Sequence, residues 1–457
     1  MTTPVTVRHI SRCSVKPAHL PDESSQPYYL NPWDLAMLTV HYIQKGLLFA
    51  KPPPSDNQDY PSIDAIINRL KHSLSRTLVH FFPLAGRFVT VQKRDNPPPY
   101  TVFVDCKDSP GAEFIHAVAD VTVADVLSPI DVPHFVQSFF THDGAVNHDG
   151  HTMPLLAVQV TELLDGVFVG CSFNHTIGDG TSFWHFFNTW AELTRDQGKD
   201  YISRPPVLKR WFPDGQGPII NLPFTHHSEF IDRYRPPPLR ERIFHFSPQS
   251  LARLKARANA ESKTTVISTF QSLCALVWRS VTRVRNLPSN QKTSCRLAIN
   301  NRTRLNPPIS PDYFGNCIQT VSGTTTAGEL LSHDLGWAAW MLHQAVVNHT
   351  DSVLRSWLET WMKAPSLYQI GRFFDPYSVM IGSSPRFDMY GGNDFGWGQG
   401  VAIRSGFANK FDGKVSSFPG KEGGGSVDLE VCLSPEKMSA LESDEEFMEA
   451  VSLDKHH

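Results

Sequence analysis

The string His175-Thr176-Ile177-Gly178-Asp179-Gly180 sets an imidazole and a carboxylate four residues apart between glycines, directly after an apolar segment. An imidazole titrates near neutral pH, so it can take a proton from an alcohol or amine as that group attacks a carbonyl. Gly178 and Gly180 permit a tight turn and close approach of a substrate. Asp179 is the tempting partner of a dyad, yet on a tight turn entering a helix the two side chains need not meet. The competing role is a turn anchor paired with an arginine. A second string, Asp394-Phe395-Gly396-Trp397-Gly398, carries an aspartate and a tryptophan on a glycine-rich turn. D-F-G also occurs in protein kinases, where the aspartate holds magnesium. No G-x-G-x-x-G loop ahead of a V-A-I-K strand and no H-R-D string accompanies it here, which leaves a structural turn. His148-Asp149-Gly150-His151 imitates a metal pair but has no third ligand in view. It reads as a solvated loop, as do His226-His227 and the terminal His456-His457, and no metal is expected.

These groups need elements to hold them. Leu155–Val160 and Val167–Phe173 are apolar, β-branched segments joined by Leu164-Asp165-Gly166, a hairpin signal. The second runs into His175, and TSFWHFFNTWAEL beyond Gly180 sets Phe183, Phe187, Trp190 and Ala191 on one helical face. His175 therefore occupies a strand-to-helix turn, where a side chain can project into a cleft. Ile63–Leu78 has helical spacing, and Pro52–Pro54 and Pro97–Pro99 read as surface loops. The proline-punctuated stretch from Arg204 to Pro238 sustains no period and reads as a crossover between domains. Beyond it lie a strand at Ile243–Phe246, a helix opened by Ser247-Pro248, and a helix over Ser268–Arg285. One long helical pattern spans Ala327–Val347, then a strand covers Val427–Leu433 and a last helix starts near Pro435. Strands and helices mix without strict alternation, so the class is mixed α+β (α/β) with two domains. Their expected extents are 1–203, a linker at 204–240, and 241–457.

With 457 residues, 40% hydrophobic and 19% charged, the chain has the composition of a globular protein. The net charge of −3 provides no basic field for nucleic acid or anionic membrane. No run reaches the roughly 18 apolar residues of a membrane span, and the N-terminus lacks an apolar signal core. Seven scattered cysteines without a C-x-x-C pair point to a reducing cytosol, which makes the sequon Asn348-His349-Thr350 a chance match.

The two opening strings, in this order, resemble the signature motifs of the BAHD acyltransferases, plant enzymes that move an acyl group from coenzyme A to a hydroxyl or amine. The resemblance extends over nearly the whole chain. Leu70-Lys71 and Ser73-Leu74-Ser75 followed by Phe82-Pro83-Leu84-Ala85-Gly86-Arg87 look like the family's first helix and strand entry. Tyr313-Phe314-Gly315-Asn316 and the helix residues Ser268-Thr269-Phe270-Gln271 with Ala275–Arg279 also match. The implied fold is two similar chloramphenicol-acetyltransferase-like domains with a channel between them. Acyl-CoA reaches the histidine from one face and a small-molecule acceptor from the other, with no permanently bound cofactor. The resemblance implies a cytosolic monomer.

It also implies roles. His175 becomes the catalytic base. Asp179 becomes structural, bonded to Arg302, with Arg304 as the second choice. Asp394, Gly396 and Trp397 shape the coenzyme A entrance, and Asp394 is by analogy also a second proton acceptor. His41 lies where relatives aim a residue at the acceptor or acyl group, and Lys255, Ser268 and Thr269 are the residues proposed to meet coenzyme A. The chain departs from the hydroxycinnamoyl branch, whose T-S-W string precedes the second motif. Counting back from Tyr390, the threonine position holds Gly382 and the tryptophan position Ser384, the latter a smaller oxyanion donor. This departure, with Leu30-Asn31-Pro32-Trp33-Asp34 and Glu422–Ser426, looks like a less characterised acetyltransferase subgroup that includes a lyase of salicylate-pathway metabolites. That relative departs from the usual histidine, whereas His175 is intact. Acyl transfer, of acetyl or another small acyl group, is therefore expected ahead of a lyase without coenzyme A. A non-catalytic metabolite binder ranks below both.

Overall fold

The computed structural model describes residues 5–51, 61–92, 100–198, 201–373 and 375–452. The proline clusters at 52–54 and 97–99 and the terminal histidines lie outside the described residues.

Two six-stranded mixed sheets organise the molecule. The first runs in the order Val7–Val15, Ala112–Ala119, Leu156–Glu162, Gly166–Phe173, Ile43–Ala50, Ala402–Ser405. Its hairpin pairs Leu156 with Phe173 and Glu162 with Val167. Every residue of Gly166–Phe173 is buried, because both sheet faces are covered. On one face Val167, Val169, Cys171 and Phe173 meet the helices Ile63–His80 and Gly180–Arg195. On the other, Phe168 packs with Phe139, Phe140 and Leu48. The second sheet has the order Ile318–Thr326, Lys292–Asn300, Val379–Ser383, Lys414–Pro419, Val427–Leu433, Arg240–Phe246. One face carries Leu297, Ile381, Val415 and Val431 into a core with the helices Pro248–Glu261, Thr269–Val284 and Leu335–Val347. A small sheet of Tyr28–Tyr29, Tyr100–Asp105 and Arg87–Gln92 flanks the first domain.

Three features go beyond the sequence reading. The pattern over 327–347 is two helices, Ala327–Ser332 and Leu335–Val347. The break falls at His333-Asp334, where Asp334 leaves the first helix to cap the second by accepting from the Trp337 amide at 2.8 Å. Ala402–Ser405, from the C-terminal half, joins the edge of the first sheet, pairing Ala402 with Leu48 and Ser405 with Lys45. The stretch after Arg204 has no regular element beyond one short 3-10 turn, His227–Glu229, yet it is pinned: Val207 bridges Tyr313 and Leu222 bridges Tyr100.

Candidate active site

The His175 loop is shaped by three buried asparagines. Asn147 accepts from the His175 amide at 2.8 Å, and Asn174 accepts from the Thr176 amide at 3.1 Å while donating to the Asn147 carbonyl at 2.8 Å. Asn316, from the second domain, donates to the His175 carbonyl at 2.7 Å. A buried loop must satisfy its polar backbone with partners of this kind. Gly178 and Gly180 supply room rather than unusual backbone: neither has a positive φ, and an added Cβ would stand 2.6 Å from Ser182 Cβ or 3.2 Å from the Phe387 ring.

Asp179 turns away from the imidazole. It caps the helix Gly180–Arg195, accepting from the Ser182 amide at 3.1 Å and the Cys317 amide at 3.0 Å. Arg302 meets it through both terminal nitrogens, at 2.8 and 3.1 Å, a bidentate pair that orients as well as attracts. The guanidinium also donates to the carbonyls of Tyr313 at 3.0 Å and Gly315 at 2.9 Å. Arg304 instead donates to the Val346 and His349 carbonyls. Burial pushes the Asp179 carboxyl up, but Arg302 and the amide donors outweigh it and hold the pKa below the usual value.

A second buried ion pair lies alongside, and the sequence reading missed it. Arg210, inside the crossover, meets Asp34 at 3.1 Å and donates to the carbonyls of Ile177 at 2.8 Å and Phe314. Asp34 accepts from the amide and side chain of Asn316, at 2.9 and 3.0 Å, and closes a capping box with Asn31. First helix, crossover, His175 loop and second-domain loop are thereby knotted at one point. The capping pattern Asn31-Pro32-Trp33-Asp34 was the available signal, but nothing local tied it to Arg210.

His175 itself has a buried Nδ1 with no hydrogen-bond partner, although the residue keeps some accessible surface. Burial lowers its pKa, against the opposing influence of its own carbonyl, the Asp179 charge and Asn316. This favours the neutral imidazole, the form able to accept a proton. The Lys414 ammonium adds a smaller push in the same direction as burial. His41 is buried, and its Nδ1 accepts from the Asn409 amide at 3.2 Å, so the ring hydrogen sits on Nε2, which has no partner. Burial lowers its pKa to about 4.

Asp394 has one carboxylate oxygen committed to its own turn, accepting from the Gly396 amide at 2.7 Å and the Gly398 amide at 3.0 Å. Both glycines have positive φ, +99° and +105°, which side chains rarely adopt. No hydrogen bond or ion pair joins Asp394 to His175. Phe395 plugs the core against Trp190 and Phe187, and Trp397 packs on Phe49. The Ser384 Oγ accepts from the Arg386 amide at 3.2 Å, which leaves its O–H free to donate. Gly382 lies against Lys414, whose Nζ stands 2.5 Å from where a Gly382 Cβ would be. Sequence reasoning named the glycine but not the lysine. Lys255 is exposed on its helix, and Ser268 caps the next helix in a box with Gln271. Thr269 opens that helix.

His148-Asp149-Gly150-His151 is a packed 3-10 turn and not a solvated loop. His148 stacks on Tyr100 and bonds its hydroxyl at 2.7 Å, His151 bonds Thr90 at 2.7 Å, and Asp149 takes a bidentate contact from Arg233. His226 and His227 stack against each other, and His227 also packs on His148. No group of three metal-binding side chains occurs among the described residues. Nor is any described helix long and apolar enough to cross a membrane.

A family model described as the Transferase family matches residues 5–448. An uncharacterised acetyltransferase of Arabidopsis thaliana is 37% identical over 450 residues, covering 97% of this chain and 99% of the relative. The BAHD acyltransferase DCR of the same plant is 34% identical over 458 residues, 97% and 92% of the two chains. Among solved structures, vinorine synthase aligns over 98% of this chain and 99% of its own with a TM-score of 0.74 at 20% identity. TRI101 of F. sporotrichioides, crystallised with coenzyme A and T-2, aligns over 93% and 99% with a TM-score of 0.67 at 18% identity. These likenesses show the two-domain chloramphenicol-acetyltransferase-like fold.

Proposed function

The chain belongs to the Transferase family, as one of its BAHD acyltransferases, and on that premise we propose that His175 is the general base of acyl transfer from coenzyme A to a hydroxyl or amine. The enzyme is an acyl-CoA-dependent acyltransferase. What carries the assignment of the base is an imidazole that burial biases toward its neutral form, on a loop locked by Asn147, Asn174 and Asn316, with Asp179 committed to Arg302.

In this reading the His175 imidazole takes the acceptor's proton as its oxygen or nitrogen attacks the thioester carbon. Negative charge collects on the carbonyl oxygen, and the Ser384 hydroxyl is the donor we assign to it; one such donor contributes about 3–4 kcal/mol. The C–S bond then breaks, and the departing thiolate takes the proton from the imidazole. No covalent acyl-enzyme is needed. Asp394 is given no chemical step, since its carboxylate holds its own turn, and with Gly396 and Trp397 it walls the coenzyme A entrance. Lys255, Ser268 and Thr269 remain the residues proposed to meet coenzyme A, and His41 to face the acceptor. We place the domain boundaries near residues 203 and 241. A cytosolic monomer acting on a plant metabolite with a small acyl donor fits a chain whose seven cysteines are all free, six of them buried.

The test is a panel of acetyl-, malonyl-, benzoyl- and coumaroyl-CoA against a plant metabolite extract, read by mass spectrometry, with titration calorimetry of coenzyme A alongside. His175→Ala should lower the rate by about a hundredfold or more. Full turnover by that variant removes the base, and no detectable coenzyme A binding removes the transferase reading.

A further inference from the structure

Two ammonium groups on the inner walls of the two domains have no counter-ion at contact distance among the described residues. Lys45 lies on the first-sheet strand Ile43–Ala50 and Lys414 on the second-sheet strand Lys414–Pro419. Residues 414, 416 and 418 point away from the helix-covered core that takes Val415, toward the first domain, where Phe418 packs into its core. Lys45 Nζ sits 4.5 Å over the Phe418 ring, so the two side chains face one another across the domain junction.

Glu430 keeps one buried oxygen without a hydrogen bond among the described residues and attracts both lysines, but no ion pair joins it to either. Lys410 pairs with Glu241 and lies 3.8 Å from Glu430. One Glu430 oxygen also accepts from the Ser405 hydroxyl, and Arg404 donates to the carbonyls of Ile403 and Val126. Lys45 and Lys414 make no hydrogen bond or ion pair among the described residues.

Burial, with the Lys410 and Lys414 charges, brings Lys45 down to about 8 against the pull of Glu430, and burial brings Lys414 down to about 8 against the pull of Cys432 and Glu430. Yet both keep accessible surface. Partly accessible groups on these two walls can be reached by a ligand in the space between them. That space lies close enough to His175 for Lys414 to depress its pKa. The Lys414 side chain reaches it over Gly382, because any Cβ there would collide with the ammonium. Unpaired buried cations are costly, and a ligand that neutralises them recovers that cost.

We propose that Lys45 and Lys414 bind a carboxylate carried by one of the two substrates, next to the reacting bond. Pairing an ammonium with a carboxylate makes short, strong charge-assisted hydrogen bonds. The proposal rests on His175 marking the reaction centre. It leaves two sources for the carboxylate, a dicarboxylic acyl thioester or an acidic acceptor.

The experiment has two binding arms, measured by calorimetry on the full chain. The donor arm compares malonyl-CoA with butyryl-CoA and free coenzyme A. The acceptor arm compares 4-hydroxybenzoate and shikimate with their neutral amides. One arm should favour the carboxylate about tenfold to a hundredfold, and Lys414→Met should erase the preference while leaving coenzyme A binding in place. Gly382→Ala, which displaces only the tip of the lysine, should weaken the preference in the same arm without lowering the unfolding midpoint. Equal binding of charged and neutral probes in both arms overturns the proposal, as does a preference that survives in Lys414→Met. Retained coenzyme A binding with no carboxylate preference would sink this proposal alone and leave the transferase reading standing.

Discussion

Replacing Asp179 by asparagine separates a hinge from a catalyst. The carboxylate accepts four hydrogen bonds: two from Arg302, and one each from the amides of Ser182 and Cys317. Asp179 is fully enclosed and Arg302 is 1% exposed. A surface pair would contribute at most about 1 kcal/mol. Here an amide strands a buried guanidinium and turns its own N–H₂ toward other donors, which costs about 3–5 kcal/mol. Asp179→Asn should therefore lose about that much in urea unfolding followed by tryptophan fluorescence, with acyl-transfer rate falling in parallel. Arg302→Met should behave alike. The double variant should lose about 1–3 kcal/mol less than the sum, because the single changes each break the same pair. Since Arg302 holds the Asp179 pKa below its unfolded value, this stability is fully present above that value and lost as pH falls through the folded pKa. The variant should lack that part of the acid transition. An unchanged unfolding curve with a hundredfold slower reaction would refute the hinge and return Asp179 to the chemistry.

Further outcomes follow from the neighbouring groups. Because burial lowers the His175 pKa, the acid limb of kcat/KM should lie below pH 6.5, and Lys414→Met, which removes a cation, should move it upward; a limb that stays put would separate Lys414 from the base. Arg210→Met strands the buried Asp34 carboxylate and should destabilise by about 3–5 kcal/mol in the same urea assay, with the rate reduced through the His175 loop. Asp394→Ala removes the acceptor of two turn amides. It should cost about 1–3 kcal/mol and raise the KM for acyl-CoA while kcat changes little; a collapse of kcat alone would make Asp394 a proton acceptor.

Much of the local architecture was legible because its causes are local. The hairpin ending at Phe173, the amphipathic run after Gly180 and the Ser247-Pro248 cap depend on neighbours within one turn or one pleat. Where tertiary contacts decided, local reading failed. The pattern at 327–347 has unbroken helical periodicity, but the Asp334 cap and the His333–Trp337 stack divide it. The loop at His148 is polar in composition, yet Tyr100 and the incoming crossover cover it.

By itself the sequence determined that an imidazole stands on a strand-to-helix turn, that the class is mixed α+β, and which family motifs the chain carries. Only the folded molecule decided which charges are paired. Arg302 reaches Asp179, Arg210 reaches Asp34, and Lys414 reaches over Gly382 with no ion pair among the described residues, because sheet register and domain docking bring together residues far apart in the chain. Spacing along the chain records what a residue is beside in sequence. The field it feels is set by what folding removes from water and leaves within a few ångströms.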